Sequence, residues 1–255
     1  MPEPTTRRGI AVGVDGSDPS RAAVRWAARE AAMRNVVLTL AHVVHLRYPK
    51  MPQTPLPVGF GEWLEEQGQT FLEEAERIAK GSGLSRVEAG MFTAATIPTL
   101  LDVSKHAEML VVGCRGRGAL ASLLLGSVSA GMVAHAQCPV AVIHDEEAST
   151  PSAEQAPVLV GIDISPASDA ATAVAFDEAS RRGAELIALH AWSDEHLSKF
   201  PGFDWSATAT DEEELLAQRL AGWQERFPDV TVRRVVVCDD AARQLLERSN
   251  PPNLS

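Results

Sequence analysis

The sequence lacks the features that mark membrane, secreted and metal-binding proteins. No apolar run in its 255 residues approaches the roughly 18 residues that a transmembrane helix needs. Residues 1–8 are polar and charged, without the apolar stretch of a secretory signal. The three cysteines, Cys114, Cys138 and Cys238, are far apart and form no CxxC pair, which argues against a zinc site or a disulfide framework. We therefore expect a cytoplasmic protein without a metal site.

Basic charge and the best-known nucleotide motifs are also scarce. The chain has 34 acidic against 23 basic residues, a net charge of −11, and such a surface repels phosphate backbones, so nucleic acid is not an expected partner. There is no GxxxxGK[ST] motif, which excludes a P-loop, and no GxGxxG after the first strand, which argues against dinucleotide binding. Residues 127–131 miss the GxSxG hydrolase elbow by one residue type. Any anion site must therefore be built locally.

What the sequence does contain is a repeat of itself. A shift of 148 residues places residues 12–44 over 160–192 without a gap, and 13 of these 33 positions are identical. Asp15 then matches Asp163, at the same distance from a shared histidine. Two unrelated alanine-rich helices would not share this spacing, so the repeat indicates a duplicated domain.

The repeat predicts how the chain is divided. Residues 9–144 form a complete first domain, residues 145–156 are acidic, small and proline-containing and predict a linker, and residues 157–255 form an incomplete second copy. The match returns late in each copy at a shift of 145, where residues 99–102 lie over 244–247. The second copy ends before the fourth and fifth strands of the first.

Strands alternate with helices in both copies, which predicts an α/β fold with a parallel sheet and right-handed crossovers. Each copy opens with a short apolar run that ends in aspartate, at residues 10–15 and 158–163, and a run that is apolar at nearly every position suits a strand buried on both faces. Without strands four and five, the first strand of the second copy would lie at a sheet edge. Its unpaired backbone would be an aggregation liability unless another surface covers it.

One segment carries the pattern of an anion site. Gly113 follows a buried strand, and Gly116, Gly126 and Ser127 follow at fixed spacing before a helix. Glycines let the backbone approach a ligand closely, successive amides can form a concavity for phosphate oxygens, and a helix that begins at Ser127 points free N–H groups at the same place.

The charges around this segment favour the same interpretation. Between Gly113 and Ser129 the chain has two arginines, Arg115 and Arg117, and no acid, although the whole chain is acidic. The hydroxyls of Ser127 and Ser129 could add donors. The alternative is that the glycines only shape a loop and a helix cap, and we favour that alternative for Gly118 taken alone.

Other polar residues have both a functional and a structural interpretation. Asp15 ends the first strand, where open α/β sheets bind ligands; it could accept from a ribose or an adenine edge, or it could only hold the following turn. For His42 and His190 we favour a structural hydrogen bond over catalysis. Cys114 could be redox-active beside the two arginines, but a small residue in a tight loop is the favoured interpretation.

These segments together resemble the universal stress protein family. The resemblance depends on VGVDGS from Val12, LAHVV from Leu40, and G-x2-G-x9-GS from Gly113, the last being the ATP-binding signature of the family with every spacing met. It covers residues 9–144 as a complete domain and 157–250 as an incomplete one, an arrangement similar to the tandem members common in actinobacteria. It implies an open five-stranded parallel sheet of order 3-2-1-4-5 with helices on both faces.

The resemblance also implies a ligand and its contacts. ATP, with or without Mg²⁺, would lie across the switch point of the sheet, with adenosine held by Asp15 and the backbone near Val43, and phosphates held by the glycine signature and its serines. The residues expected to contact the nucleotide are Gly13, Val14, Asp15, Val43, Gly113, Cys114, Arg115, Gly116, Arg117, Gly118, Gly126, Ser127, Val128 and Ser129.

The expected function is that of an ATP-binding regulator of a stress or growth response. Two alternatives are an interaction module in which nucleotide is incidental, and a slow ATP hydrolase. We do not expect an ordinary enzyme, because no general base or P-loop lysine accompanies the phosphate segment. By resemblance, family domains pair through their fifth strands, so residues 139–143 predict a homodimer; no membrane partner is expected.

Overall fold

The chain divides into two compact units, Met1–Thr150 and Pro151–Ser255. A computed structural model describes residues 8–45, 57–114, 125–144, 156–163, 165–192 and 205–249. No helix in these ranges combines the length and the apolar composition that a membrane crossing requires.

Strands and helices alternate through the first unit. Its elements are β1 Ile10–Val14, α1 Asp18–Arg34, β2 Leu38–Val44, α2 Phe60–Gly81, β3 Val87–Thr93, α3 Thr96–Ser104, β4 Met109–Gly113, α4 Ser127–His135 and β5 Val140–Ile143. All strand pairs are parallel and the order is β3-β2-β1-β4-β5. The predicted fold class and strand order are therefore confirmed.

The central strand β1 is buried on both faces, which explains its nearly continuous apolar sequence. Ile10 and Val12 are fully buried in a core with α1 and α2, whereas Ala11 faces a second core formed with α3 and α4. Helix α1 approaches the sheet through a stripe of small side chains at helical spacing, among them Ala23, Ala27 and Ala31, which are fully buried.

Local sequence sets the ends of α1. The Ser17 side chain accepts a hydrogen bond from the Ser20 amide at 3.3 Å, and Pro19 lies in the first turn, where its missing N–H costs nothing. Asn35 ends the helix in a left-handed conformation (φ 54°), with its amide bonded to the carbonyls of Ala31 and Ala32. The helix that follows β1 is thus specified by its immediate neighbours.

The second unit repeats the first half of this plan. Its elements are β6 Val158–Gly161, α5 Pro166–Arg182, β7 Leu186–Trp192, α6 Trp205–Arg226, β8 Val232–Cys238 and α7 Ala241–Ser249. The sheet is parallel, of order β6-β7-β8. Among the described residues β6 therefore lies at the edge of its sheet, as the sequence predicted.

Aromatic side chains fill the core of the second unit. Phe176 is fully buried, with its ring 6.0 Å from that of Trp223 and 5.7 Å from that of Phe227. Arg226 lies over the Trp223 ring at 5.8 Å. Trp223 is half-buried and therefore packs against the edge of this core.

Candidate functional site

The sheet of the first unit has a switch point between β1 and β4. From β1 the chain passes to β2 on one side, and it later returns to β4 on the other side. Parallel pairing, with Val12 opposite Val111, brings the carboxyl ends of β1 and β4 to the same edge of the sheet. Crevices at such points are where open α/β sheets bind ligands.

Asp15 shapes the turn that follows β1. Its Oδ1 accepts hydrogen bonds from the Ser17 hydroxyl at 2.6 Å and from the Ser17 amide at 3.0 Å. The Asp15 amide donates to Ser20 Oγ at 3.1 Å, and that hydroxyl in turn donates to the Gly13 carbonyl at 3.3 Å. Asp15 thus holds the turn, and it does so at the edge of the sheet where the carboxyl ends of β1 and β4 meet.

Ser20 was not among the predicted site residues, although it fastens the turn. The sequence carries a signal that could have identified it, because Ser168 occupies the same position in the second copy. There the Ser168 hydroxyl accepts from the Asp163 amide at 2.9 Å. A serine at the same position in both copies indicates that its hydroxyl makes the same contact, with the amide of the aspartate, in each turn.

The glycine after Asp15 is required by geometry. Gly16 has a φ of +74°, and a Cβ built on it would lie 2.5 Å from Cδ1 of Phe71 in α2. Any L residue at this position would be strained and would also collide with the ring. The VGVDGS pattern therefore combines an aspartate that holds the turn with a glycine that allows α2 to cover it.

The end of β4 is equally tight, but for a reason that the sequence did not reveal. A Cβ on Gly113 would lie 2.7 Å from the carbonyl carbon of Pro19 and 2.8 Å from its oxygen. Gly113 therefore permits the first turn of α1 to approach β4. At Gly13 the nearest atom to a built Cβ is 3.5 Å away, an ordinary contact.

Cys114 joins the end of β4 to the start of α4. Its amide donates to the Ile143 carbonyl at 2.8 Å, and its carbonyl accepts from the Gly126 amide at 2.8 Å and from Ser129 Oγ at 2.8 Å. The side chain is 2% exposed, and the thiol lies 3.5 Å from the His144 carbonyl. This environment is that of a small structural residue, the interpretation that the sequence favoured.

The N-terminus of α4 presents backbone donors at the switch point. Gly126 precedes the helix in an extended conformation, no side chain among the described residues caps it, and its first turn contains no acid. The Ala130 amide donates to the Gly126 carbonyl at 2.9 Å, so the amides of Ser127, Val128 and Ser129 precede the first intrahelical hydrogen bond. Together with the helix dipole they favour a bound anion.

The serines of this turn differ in their surroundings. Ser127 is exposed and Val128 is half-buried. Ser129 is 1% exposed, and its hydroxyl lies 2.8 Å from the Cys114 carbonyl and 3.0 Å from that of Gly126. Its single proton is therefore directed to the backbone, so the Ser129 hydroxyl positions the helix rather than facing a ligand.

Val14 and Val43, two of the expected nucleotide contacts, lie at or near the carboxyl ends of their strands. The Val14 carbonyl accepts from His42 Nδ1 at 2.7 Å, which ties the end of β1 to that of β2; this is the structural role favoured for His42. Val43 is half-buried and pairs with Phe92 of β3. The remaining expected contacts lie outside the described residues: Arg115, Gly116, Arg117 and Gly118.

The second unit preserves the aspartate turn but not the rest of the site. The Ser165 amide donates to Asp163 Oδ1 at 2.7 Å, and hydrogen bonds from the Ser165 hydroxyl and amide hold the pKa of the Asp163 carboxyl below its ordinary value. His190 Nδ1 donates to the Ile162 carbonyl at 2.7 Å. Among its described residues this unit has no counterpart of β4 or α4.

Comparison with known sequences supports the resemblance drawn from the motifs. The model of the universal stress protein family matches residues 6–144 and 156–254. Universal stress protein Rv2005c of Mycobacterium tuberculosis is 52% identical over 253 residues, 98% of this chain and 86% of that protein. Universal stress protein Rv2623 of the same species is 49% identical over 250 residues, 96% of this chain and 84% of that protein.

Solved structures with the same fold are also found. A universal stress protein from Archaeoglobus fulgidus covers 96% of this chain and 81% of its own, with a TM-score of 0.69 and 18% identity. A universal stress protein solved in complex with cAMP covers 55% of this chain and 98% of its own, with 29% identity and a TM-score of 0.41. The first of these likenesses establishes the fold and nothing further.

Proposed function

This chain belongs to the universal stress protein family, and we propose that its first unit binds one ATP at the β1–β4 switch point and acts as a nucleotide-dependent regulator of a stress or growth response. The observation that carries the proposal is the uncapped N-terminus of α4. The Gly126–Cys114 hydrogen bond of 2.8 Å fixes this N-terminus against the end of β4. Within the described part of the chain no group accepts from its first amides, so they are available to phosphate beside the aspartate turn of β1.

The proposed contacts fall into two groups. Asp15, with the backbone of Gly13, Val14 and Val43, receives the nucleoside at the ends of β1 and β2. The phosphates lie on the amides of Ser127 and Val128 and against the backbone of the glycine signature, including Arg115, Gly116, Arg117 and Gly118. Gly113, Cys114, Gly126 and Ser129 act by positioning, since their own contacts join β4 to α1 and α4.

Binding without rapid hydrolysis suits such a site. His42 is 8% exposed and its Nδ1 is bonded to the Val14 carbonyl, and Asp15 Oδ1 is engaged by Ser17. Neither is placed as a general base for an attacking water. A turnover above roughly 1 s⁻¹, the low end of ordinary enzymes, would overturn this part of the proposal and favour the hydrolase.

The test places a negative charge where a phosphate would lie. Ser127→Asp adds a carboxylate to the first turn of α4, which favours the helix itself but repels a phosphate held on the same amides. A unit charge near 4 Å has a Coulomb energy of about 4 kcal/mol at a surface dielectric, so we expect ATP affinity to fall by at least about tenfold. Calorimetry should show one ATP per parent chain, weakened binding in the variant, and no loss of stability.

A matched control and a second ligand make the test specific. Helix α3 also has nine residues, no side-chain cap and no acid in its first turn, but it follows β3 at the edge of the sheet, so Thr96→Asp should leave ATP binding unchanged.

Adenosine lacks phosphates and should bind both variants like the parent. If Ser127→Asp weakens adenosine as much as ATP, the phosphate assignment is wrong. If the parent binds no ATP, the interaction-module alternative is favoured.

We also propose that two chains pair through β5. The Ile143 carbonyl accepts from the Cys114 amide within the sheet, so by strand alternation the Val142 N–H faces the open edge of β5. Val142→Pro removes this donor and leaves the ladder to β4 intact. At a protein concentration of ~50 µM, sedimentation should show that the parent is a dimer and that the variant is a monomer. A parent that stays monomeric at this concentration would refute the pairing.

A further inference from the structure

The duplication gives the chain two helix pairs of the same dimensions. Helices α1 and α5 each have 17 residues, and α2 and α6 each have 22. Both first helices are capped alike, since the Ser17 and Ser165 side chains accept from the amides of Ser20 and Ser168. The backbone alone would therefore also allow a mixed pairing, in which α1 packs on α6 or α5 packs on α2. Misassembly of this kind is a characteristic failure of repeated domains.

An ion pair joins the two helices of each copy at the same place, but with its signs exchanged. In the first unit Arg21 of α1 donates to both carboxylate oxygens of Glu74 in α2, at 3.0 and 3.2 Å. At the shifts of 148 and 145 residues that relate the copies, Asp169 of α5 matches Arg21, and Arg219 of α6 matches Glu74. Arg219 Nη1 lies 3.5 Å from Asp169 Oδ1. The first helix is thus basic at this contact in one copy and acidic in the other.

The inversion makes both mixed pairings repulsive at this contact. With α5 on α2, Asp169 would face Glu74, and with α1 on α6, Arg21 would face Arg219. The side chains of Arg21 and Glu74 are 33% and 31% exposed, so the pair adds little to the stability of its own unit. Its sign discriminates between partners more strongly, because a mixed pairing loses an attraction and gains a repulsion at each contact.

The cores beneath these ion pairs differ in volume. Phe176 of α5 occupies the position that Ala28 has in α1, and both are fully buried. The Phe176 ring stacks on Trp223 of α6, whose counterpart in α2 is Ile78. A mixed pairing would force a phenylalanine into the space of an alanine, or leave a cavity where the ring was. This mismatch acts once side chains are packed, whereas charges also act in collapsed chains whose packing is incomplete.

We propose that the inverted ion pairs, Arg21–Glu74 and Asp169–Arg219, direct each helix to the partner from its own copy while the chain folds. Their main effect is the choice between two similar partners, and their contribution to the stability of each unit is minor. Nucleotide plays no part in this choice, so a failure of the proposed ATP site would leave it untouched.

The test exchanges the signs within one unit. Arg21→Asp with Glu74→Arg keeps an ion pair in the first unit and leaves the net charge unchanged, but it makes both mixed pairings attractive. After refolding of the full chain from denaturant, chains with mixed pairs should appear as a second, less protected population in the amide exchange of β1 and β7. We expect this population to be about tenfold larger than in the parent, because two contacts change from repulsive to attractive.

The matched control exchanges the signs in both units. Adding Asp169→Arg and Arg219→Glu to the first two substitutions restores the inversion with its polarity reversed, and should return the less protected population to the parent level. Asp18 and Arg77 lie 2.7 and 3.9 Å from the ion pair of the first unit, so the first exchange places like charges together and costs that unit some stability. Substitutions in the other unit would not repair such a loss.

The exchange in the second unit alone gives an independent measurement. Asp169→Arg with Arg219→Glu should increase the less protected population as the first exchange does, and it decides the result if the first unit fails to fold after its own exchange. Refolding at the parent level in either single-unit exchange would overturn the proposal. A less protected population that persists when both units are exchanged would also overturn it, because the loss would then be damage within one unit.

Discussion

Gly113, at the end of β4, allows a test of whether a glycine is needed there for packing or for ligand binding. The sequence placed it among the phosphate contacts, whereas the structure places the backbone of Pro19 against it, 2.7 Å from the position of a Cβ. Gly113→Ala should therefore destabilise the first unit even without nucleotide. Gly13→Ala should not, because its Cβ would meet only ordinary contacts, the nearest at 3.5 Å.

The magnitude follows from two opposing effects. Forcing a methyl group into a tightly packed contact costs about 1–3 kcal/mol, and the obstacle here is backbone that cannot rotate away. Replacing glycine by alanine at a permitted φ restores about 0.4–1 kcal/mol through the unfolded chain. We expect Gly113→Ala to lose about 1–2 kcal/mol, and Gly13→Ala to be neutral or slightly stabilising, within about 1 kcal/mol.

The assay must report on each unit separately, because a chain of two units has no single unfolding free energy. Hydrogen exchange read by mass spectrometry gives the protection of β1 and β4, with β7 as the internal reference. Faster exchange in β1 and β4 of Gly113→Ala, with β7 unchanged, is the expected pattern. Equal protection in Gly113→Ala and the parent, or an equal loss in Gly13→Ala, would refute the packing argument.

Three further predictions concern the cores, an ion pair and the thiols. Phe176→Ala should cost the second unit about 3–5 kcal/mol, because the ring is fully buried against aromatic neighbours, while exchange in β1 stays at the parent rate. The hydrogen bond from Arg21 lowers the pKa of Glu74 from its ordinary value of 4.5. The stability that this ion pair adds to the fold is therefore complete above pH 4.5 and is lost as the pH falls further. Glu74→Gln should reduce the loss of unfolding free energy at acidic pH by less than about 1 kcal/mol, because the pair is partly exposed. A thiol reagent should label the exposed Cys238 in the native protein but reach the buried Cys114 only on unfolding; fast native labelling of Cys114 would contradict its structural role.

The repeat by itself determines much of this protein. Apolar runs that end in Asp15 and Asp163 specify two strands, of which β1 is buried and β6 is only half-buried. Ser17 with Pro19 specifies the start of α1, because these signals act over a few residues. The strand order followed from the motif resemblance, and the sheet confirms it. The edge position of β6 followed from the absence of further strand patterns in the second copy.

The sequence predicted which residues form the candidate site, but it did not predict the structural roles that some of them have. The spacing of the motif predicted that Gly113, Gly126 and Ser129 belong to the site. Spacing cannot distinguish a residue that contacts a ligand from one that holds the backbone in place. The structure shows the Ser129 hydroxyl directed to the Cys114 carbonyl and Gly113 set against Pro19. Both contacts join segments distant in the chain, so no local pattern encodes them.

Exposure is likewise decided only by the tertiary fold. Leu101 and Leu246 occupy equivalent positions in two helices, TIPTLLDVS and AARQLLERS, that share a Leu-Leu pair followed by an acid. In the first unit α4 and β4 contribute to the core that Leu101 joins, whereas Leu246 is 66% exposed. Whether a leucine at this helical position is buried therefore depends on the elements that the fold places beside it, and these elements differ between the two units.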